Sequence, residues 1–181
     1  MSTALSEQEI IRRESLQQLR ALGINPYPAE EYNVNAFAQD IHDNFVRFPD
    51  HYKSVTLAGR IMTRRIMGNA SFAELQDSSG RIQIYLKRDD ICPGEDKTLY
   101  NTVFKKLMDI GDYIGIIGVG GRTQTGESSV HVQELVLLSK SLKPLPVVKR
   151  DEDGQVLATA MAEGAGSNAD AWARFLAPAL A

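Results

Sequence analysis

The chain has a single cysteine, Cys92, among 181 residues. That excludes an intramolecular disulfide and a zinc site built on several thiolates, and it fits a reducing compartment. No apolar run approaches the roughly 20 residues that a membrane-spanning helix needs. The opening residues, Met1-Ser-Thr-Ala-Leu-Ser-Glu-Gln-Glu9, are acidic and have neither the basic start nor the apolar stretch of a secretory signal. A cytoplasmic protein is therefore the expectation. Nothing repeats at a fixed period. The three histidines, His42, His51 and His131, are scattered with no second ligand at metal spacing. Ser71 and Ser79 have no histidine and acid companions at a readable distance. Gly118-Val-Gly-Gly-Arg122 lacks the lysine and hydroxyl residue of a phosphate loop, and a strand bend explains it better. No catalytic site and no metal site is expected.

What is present is an uneven charge. The chain as a whole carries −3. Residues 1–52 hold 4 basic and 8 acidic side chains, residues 53–150 hold 15 and 10, and residues 151–181 hold 1 and 5. A basic middle between acidic ends suits one module that meets a polyanion, although a solvated surface could carry the same swing.

Hydrophobic periodicity divides the chain. Ser6 and Glu9 fit a capping box, Ile11, Ser15, Leu19 and Leu22 follow at helical spacing, and Gly23 stops the helix before Asn25-Pro26. A second short helix is predicted from about Asn35 to Val46. From Ser54 the period becomes alternating. Strands are predicted at about 54–67, 71–77 and 81–87, a helix at 95–108, and further strands at 112–123 and 127–138. Three strands, a helix and two strands in that order predict a five-stranded Greek-key OB-fold barrel with a helix between strands 3 and 4, preceded by N-terminal helices. The rival, an SH3-like barrel, does not usually insert a four-turn helix at that point. The domain expectation is a helical extension over 1–52, the barrel over 53–142, a proline-containing linker over 143–157, and an alanine-rich tail over 158–181 with at most a weak helix near Ala169–Leu176.

Strands 2 and 3 carry the informative chemistry. Alternation turns Ala73 and Leu75 inward and leaves Phe72, Glu74 and Gln76 outside. Likewise Ile82, Ile84 and Leu86 point in, and Arg81, Gln83 and Tyr85 point out. An aromatic ring on the polar face of a strand can stack a base, and a neighbouring amide and guanidinium can bond the base's edge. The bland alternative is that Phe72 packs beneath the N-terminal helices. Arg64 and Arg65 add charge, but Arg65 falls in phase with inward Ile61 unless strand 1 is bulged.

The stretch Gly59-Arg-Ile-Met-Thr-Arg-Arg-Ile-Met-Gly-Asn-Ala-Ser-Phe-Ala-Glu-Leu-Gln-Asp-Ser-Ser-Gly-Arg-Ile-Gln83 resembles the anticodon-binding domain of class II lysyl-tRNA synthetases. So do Lys87-Arg-Asp-Asp90, Gly111-Asp-Tyr-Ile-Gly115, Arg122-Thr-Gln-Thr-Gly-Glu127 and Leu138-Ser-Lys-Ser-Leu-Lys-Pro-Leu-Pro146. The likeness runs from about residue 6 to 157. It implies that Phe72 stacks on an anticodon base, that Gln83 and Arg65 contact the central uridine, and that Glu134 lies near the neighbouring bases. Arg60, Arg64 and Arg81 are expected to hold phosphates. The implied partner is lysine tRNA, and the implied full-length relative is a homodimeric lysine–tRNA ligase that uses ATP and magnesium. The three class II catalytic motifs do not occur in these 181 residues, so no cofactor is expected for this chain and no aminoacylation by it alone. A stand-alone single-strand-binding OB module and an inactive truncated product are the alternatives. The tail 158–181 departs from the family pattern and is expected not to be native to it. Gly120, Gly121 and Ser128 replace residues that are apolar or aromatic in the family, and each is expected to cost barrel packing.

Overall fold

A computed structural model describes residues 5–123, 126–146, 149–150 and 156–157. Ser6–Pro144 form one compact unit. Its centre is a closed barrel of five strands: β1 (Val55–Met67), β2 (Ala70–Gln76), β3 (Arg81–Lys87), β4 (Tyr113–Arg122) and β5 (Ser128–Ser139). They lie in the order β1-β2-β3-β5-β4, and β4 closes back on β1. Only β3 and β5 run parallel; the other pairs are antiparallel. This is the OB barrel that the element order predicts. Beyond Pro144, within the stretch read as an extended linker, Lys149–Arg150 (β6) and Val156–Leu157 (β7) pair antiparallel. The tail 158–181 and the helix predicted within it lie outside the described residues.

The barrel interior is filled by the alternating apolar set. Leu57, Ile61, Leu75, Ile84, Leu86, Ile114 and Ile116 are all sealed from solvent. Between β3 and β4 come a four-residue helix, α3 (Arg88–Ile91), and then Leu99–Leu107, which the α-helical period predicts as an α-helix. The second segment is instead a π-helix, closed by the Met108 N–H donating to the Val103 carbonyl at 2.8 Å. Its wider turn buries Tyr100, Val103, Phe104 and Leu107 together. The Tyr100 hydroxyl meets the Ser71 hydroxyl at 2.7 Å, which satisfies both polar groups inside the core.

Two helices precede the barrel. In α1 (Glu7–Ala21) the Ser6 side chain accepts from the Glu9 N–H and the Glu9 side chain accepts from the Ser6 N–H, completing the capping box. Its buried stripe differs from the expected one. Arg12, Ser15, Leu16 and Leu19 are covered, while Ile11 and Leu22 are exposed. The Arg12 guanidinium explains the rotation, because it donates to the carbonyls of Ile110 at 2.8 Å and Ser141 at 3.2 Å. Beside them Lys140 is wholly buried, with its ammonium 2.9 Å from Asp112 and 2.6 Å from Asp109. Asp112 also accepts the N–H groups of Asp109 and Ser141. Burial pushes the Asp112 carboxyl upward, opposed by Lys140 and by those backbone donors.

The approach of the N-terminal segment to the barrel rests on glycines of β4. A Cβ at Gly115 would lie 2.4 Å from the Tyr32 ring, and one at Gly120 would lie 2.7 Å from the Tyr52 Cβ. The packing expected to be lost at Gly120 is thus supplied by Tyr52, which is 5% exposed and bonds Asp40 through its hydroxyl. Ser128 is buried as well. Gly121 is different, since a Cβ there meets nothing closer than 3.8 Å.

The second helix, α2 (Ala38–Asn44), is shorter than the predicted span and has no side-chain cap of its own. It borrows one from the β2–β3 turn. The Ala38 N–H donates to Asp77 at 2.7 Å and the Gln39 N–H donates to the Ser79 hydroxyl at 3.0 Å. Burial raises the Asp77 carboxyl, but bonds from Ala38, Ser79 and Gly80 outweigh it and hold its pKa below the ordinary 3.8. A depressed carboxylate stabilises the fold above its ordinary pKa, and that stabilisation is lost as pH falls through the lower folded value. Asp77→Ala is expected to lower the unfolding free energy at pH 7 by roughly 1–2 kcal/mol. Urea denaturation checks this, and the gap between the two proteins should close as the pH drops below 3.8.

Candidate nucleic-acid interface

The decisive local feature is a bulge in β1. Ile61 pairs with Leu75 and Thr63 pairs with Glu74, so Met62 is an extra residue. Alternation therefore restarts one residue later. Ile61 stays inside, whereas Thr63 and Arg65 face outward alongside the outer residues of β2 and β3. The phase conflict at Arg65 disappears for this reason.

Two rows of side chains then cross the outer face of four strands. Arg65, Phe72, Tyr85 and His131 stand in register in one row, and Thr63, Glu74, Gln83 and Ser129 stand in the other. Both rows line an open cleft of about 730 Å³. Phe72 is half-buried and lies 5.0 Å from the Tyr85 ring at a 45° tilt, and Tyr85 lies 5.2 Å from His131 at 56°. Phe72 lines the cleft, and α2 is anchored at the β2–β3 turn, so the alternative in which helices seal this ring does not hold.

Gln83 has two different ends. Its Nε2 donates to Glu127 Oε2 at 3.1 Å, and since a carboxylate only accepts, the amide orientation is determined. Its Oε1 is buried and has no hydrogen-bond partner among the described residues. The hydroxyl of Ser129, a wholly buried residue, is in the same condition. Arg65 and Arg122 line the cleft as exposed cations, and neither has an ion-pair partner among the described residues. Glu74, by contrast, lies 3.3 Å from Arg81.

The other expected contacts lie elsewhere. Arg64 turns toward the end of the π-helix, where it donates to the carbonyls of Phe104 and Met108 at 2.5 Å each. Those carbonyls belong to a helix terminus that lacks intrahelical donors, and a cation there also suits the helix dipole. Burial pulls the Arg64 pKa down, against Asp109 and Asp112, which raise it. A guanidinium so committed does not face a phosphate in solvent, which corrects the expectation for Arg64. Arg60 lies over the Tyr113 ring at 4.4 Å and donates to the Gly111 carbonyl, away from the cleft. Arg81 is held by Gln76 and Glu74 and does not line it either. Glu134 is exposed on β5 opposite Ile117, outside the cleft, and the glutamates that line it are Glu74 and, after the β4–β5 turn, Glu127. Sequence reasoning passed over Glu127, Arg122 and Ser129, although Arg122 and Glu127 bound the motif Arg122-Thr-Gln-Thr-Gly-Glu127. Among the described residues no group of three or more His, Cys, Asp or Glu side chains could hold a metal ion, and no helix is long and apolar enough to cross a membrane.

Comparison with known proteins agrees with this geometry. Residues 55–138 match the family model of the OB-fold nucleic acid binding domain. The chain is 63% identical over 153 residues to a lysine–tRNA ligase of Porphyromonas gingivalis, covering 84% of this chain and 26% of that protein. Lysine–tRNA ligases of Azobacteroides pseudotrichonymphae and Christiangramia forsetii are 57% and 55% identical over 150 residues. Those matches cover 83% of this chain and 30% and 26% of theirs, so the chain spans between a quarter and a third of the relatives' length.

The two neighbouring arginines of β1 should separate in experiment. Arg64→Ala is expected to lower stability by roughly 1–3 kcal/mol, because two carbonyls lose their donor. Arg65→Ala should stay within about 0.5 kcal/mol of the parent in the same unfolding measurement.

Proposed function

We propose that this protein, whose residues 55–138 belong to the OB-fold nucleic acid binding domain family and whose chain is homologous to lysine–tRNA ligases, binds the anticodon loop of lysine tRNA. The observation that carries the reading is the convergence of Phe72, Gln83 and Arg65 on one open cleft. Phe72 supplies a π-face backed by Tyr85, on which an unstacked base can lie. Gln83, in the neighbouring row, carries an amide oxygen with no partner among the described residues, and Arg65 offers a guanidinium from the same row as the ring. Arg122, exposed at the cleft, takes the phosphate-facing role that Arg64 does not.

Activation of lysine with ATP and its transfer to tRNA belong, in this proposal, to a chain of the relatives' full length acting in the cytoplasm. The barrel does one thing in the scheme. It captures a splayed anticodon base and holds it by its face and its edge.

The test is binding of a lysine anticodon stem-loop to the parent chain and to Phe72→Ala. Losing the ring is expected to weaken binding by about 1–3 kcal/mol, the range for a base–aromatic stack. An unchanged dissociation constant in a fluorescence anisotropy titration would remove Phe72 from the mechanism.

A further inference from the structure

The two halves of β1 are held differently. β4 pairs with the strand only over Val55–Arg60, and from Thr63 to Met67 its pairing among the described residues is with β2 alone. That second half carries Arg65 to the cleft. Its end is open to solvent, with Ile66, Met67, Gly68 and Asn69 all exposed. A hairpin end with one neighbouring strand and little burial belongs to the less stable part of a fold. Phe72 is better placed, because β2 is paired on both sides, with β1 and with β3. Arg65 therefore keeps its aim only if the hairpin end is tied down.

Among the described residues two side chains tie the turn. From inside, the buried Tyr100 donates its hydroxyl to the Gly68 carbonyl at 3.3 Å. From outside, Arg88 of α3 donates from Nη1 to Asn69 Oδ1 at 3.0 Å, and its backbone N–H donates to the Asn69 carbonyl at 2.8 Å. The rest of the guanidinium is engaged as well. Nε and Nη2 donate to the two carboxylate oxygens of Asp89 at 3.0 and 3.3 Å, and Lys97 lies 3.0 Å from the same carboxylate. A planar fork gripped by a carboxylate on one side has a fixed direction for its remaining donor. Arg88 does not line the cleft, so it is not placed to touch what the cleft holds. The Arg88–Asp89 pair is partly exposed, and such a pair adds little to global stability. What it fixes is the position of the turn.

We propose that Arg88, oriented by Asp89, is a positioning residue for nucleic-acid binding: its guanidinium latches the Asn69 side chain, steadies the β1–β2 hairpin and so aims Arg65 into the cleft before the RNA arrives. The proposal rests on the reading of the cleft as an anticodon site and adds a group outside it that acts through Arg65.

The experiment uses the whole 181-residue chain and a lysine anticodon stem-loop. Arg88→Ala and Asn69→Ala each remove one end of the latch, and each is made in the parent and in an Arg65→Ala background. In the parent each should weaken binding roughly three- to tenfold, the range for losing the preorganisation of one long side chain. In the Arg65→Ala background neither should weaken it further, as holds for groups that act as one unit. Arg88→Lys should behave as Arg88→Ala, since an ammonium cannot bridge carboxylate and amide as a planar fork does. In the free chain all three variants should speed amide hydrogen exchange at Ile66, Met67 and Gly68 and leave the melting temperature unchanged. Equal losses in both backgrounds overturn the proposal, by making Arg88 a direct RNA contact or a packing residue. Binding restored in Arg88→Lys also overturns it, because charge alone would then suffice, and so does undiminished affinity in both latch variants. A parent that binds the stem-loop no better than an unrelated RNA hairpin overturns the reading of the cleft itself, a failure visible before any latch variant is made.

Discussion

The extra residue in β1 is the constraint on which the outer face of the barrel depends. Up to Ile61 the strand must keep its apolar side chains inward, because they fill the barrel against Leu75 and Ile114. An unbroken alternation would carry Arg65 into that interior, where a guanidinium has no place without partners. By doubling one position against β2, the strand changes phase between its two halves. The first half serves the core and the second serves the cleft. The bulge also increases local twist, and a closed five-stranded barrel needs a strongly coiled first strand.

The same change of phase accounts for the neighbouring arginine. Once Arg65 faces out, Arg64 must face the other way, toward the end of the barrel capped by the π-helix. There it finds the terminal carbonyls of Phe104 and Met108, and the acids Asp109 and Asp112 lie close enough to favour its charge. Arg12 and Lys140 complete a group of cations tied to backbone carbonyls and carboxylates around residues 109–112. Removing one partner from such a buried group leaves another uncompensated, which is why these polar side chains order the junction between α1, the π-helix and β4. Charge in this protein thus has two uses. Committed cations hold the fold together, and exposed ones at the cleft remain available to a ligand.

The N-terminal segment adopts its position by occupying places where β4 has no side chain. Tyr32 over Gly115 and Tyr52 over Gly120 are close approaches that any Cβ would prevent. The glycines of β4, which read in isolation as a strand bend or as missing packing, are the sockets for those rings. The borrowed cap of α2 works to the same end. Asp77, in the turn between β2 and β3, satisfies the helix terminus and, at the same time, the donors of Ser79 and Gly80 in its own turn. Helical segment and barrel are therefore tied at both ends of the short connection.

The kind and order of the elements, and the inward face of each strand, are written in the chain's local pattern. They follow from neighbours two or four positions apart, a scale on which hydrophobic alternation and capping residues act. Phe72 and Gln83 could be placed on one surface for that reason. Which groups meet across distant strands is settled only in the assembled barrel. The acceptors that draw Arg64 inward come from a helix far along the chain, and Ser129 reaches Gln83 only through the parallel pairing of β3 with β5. Exchanging Glu134 for Glu127 at the cleft has the same origin. A periodic pattern reports which side of a strand a residue occupies, whereas its height along the barrel is set by register, and register is fixed by the closure of all five strands together.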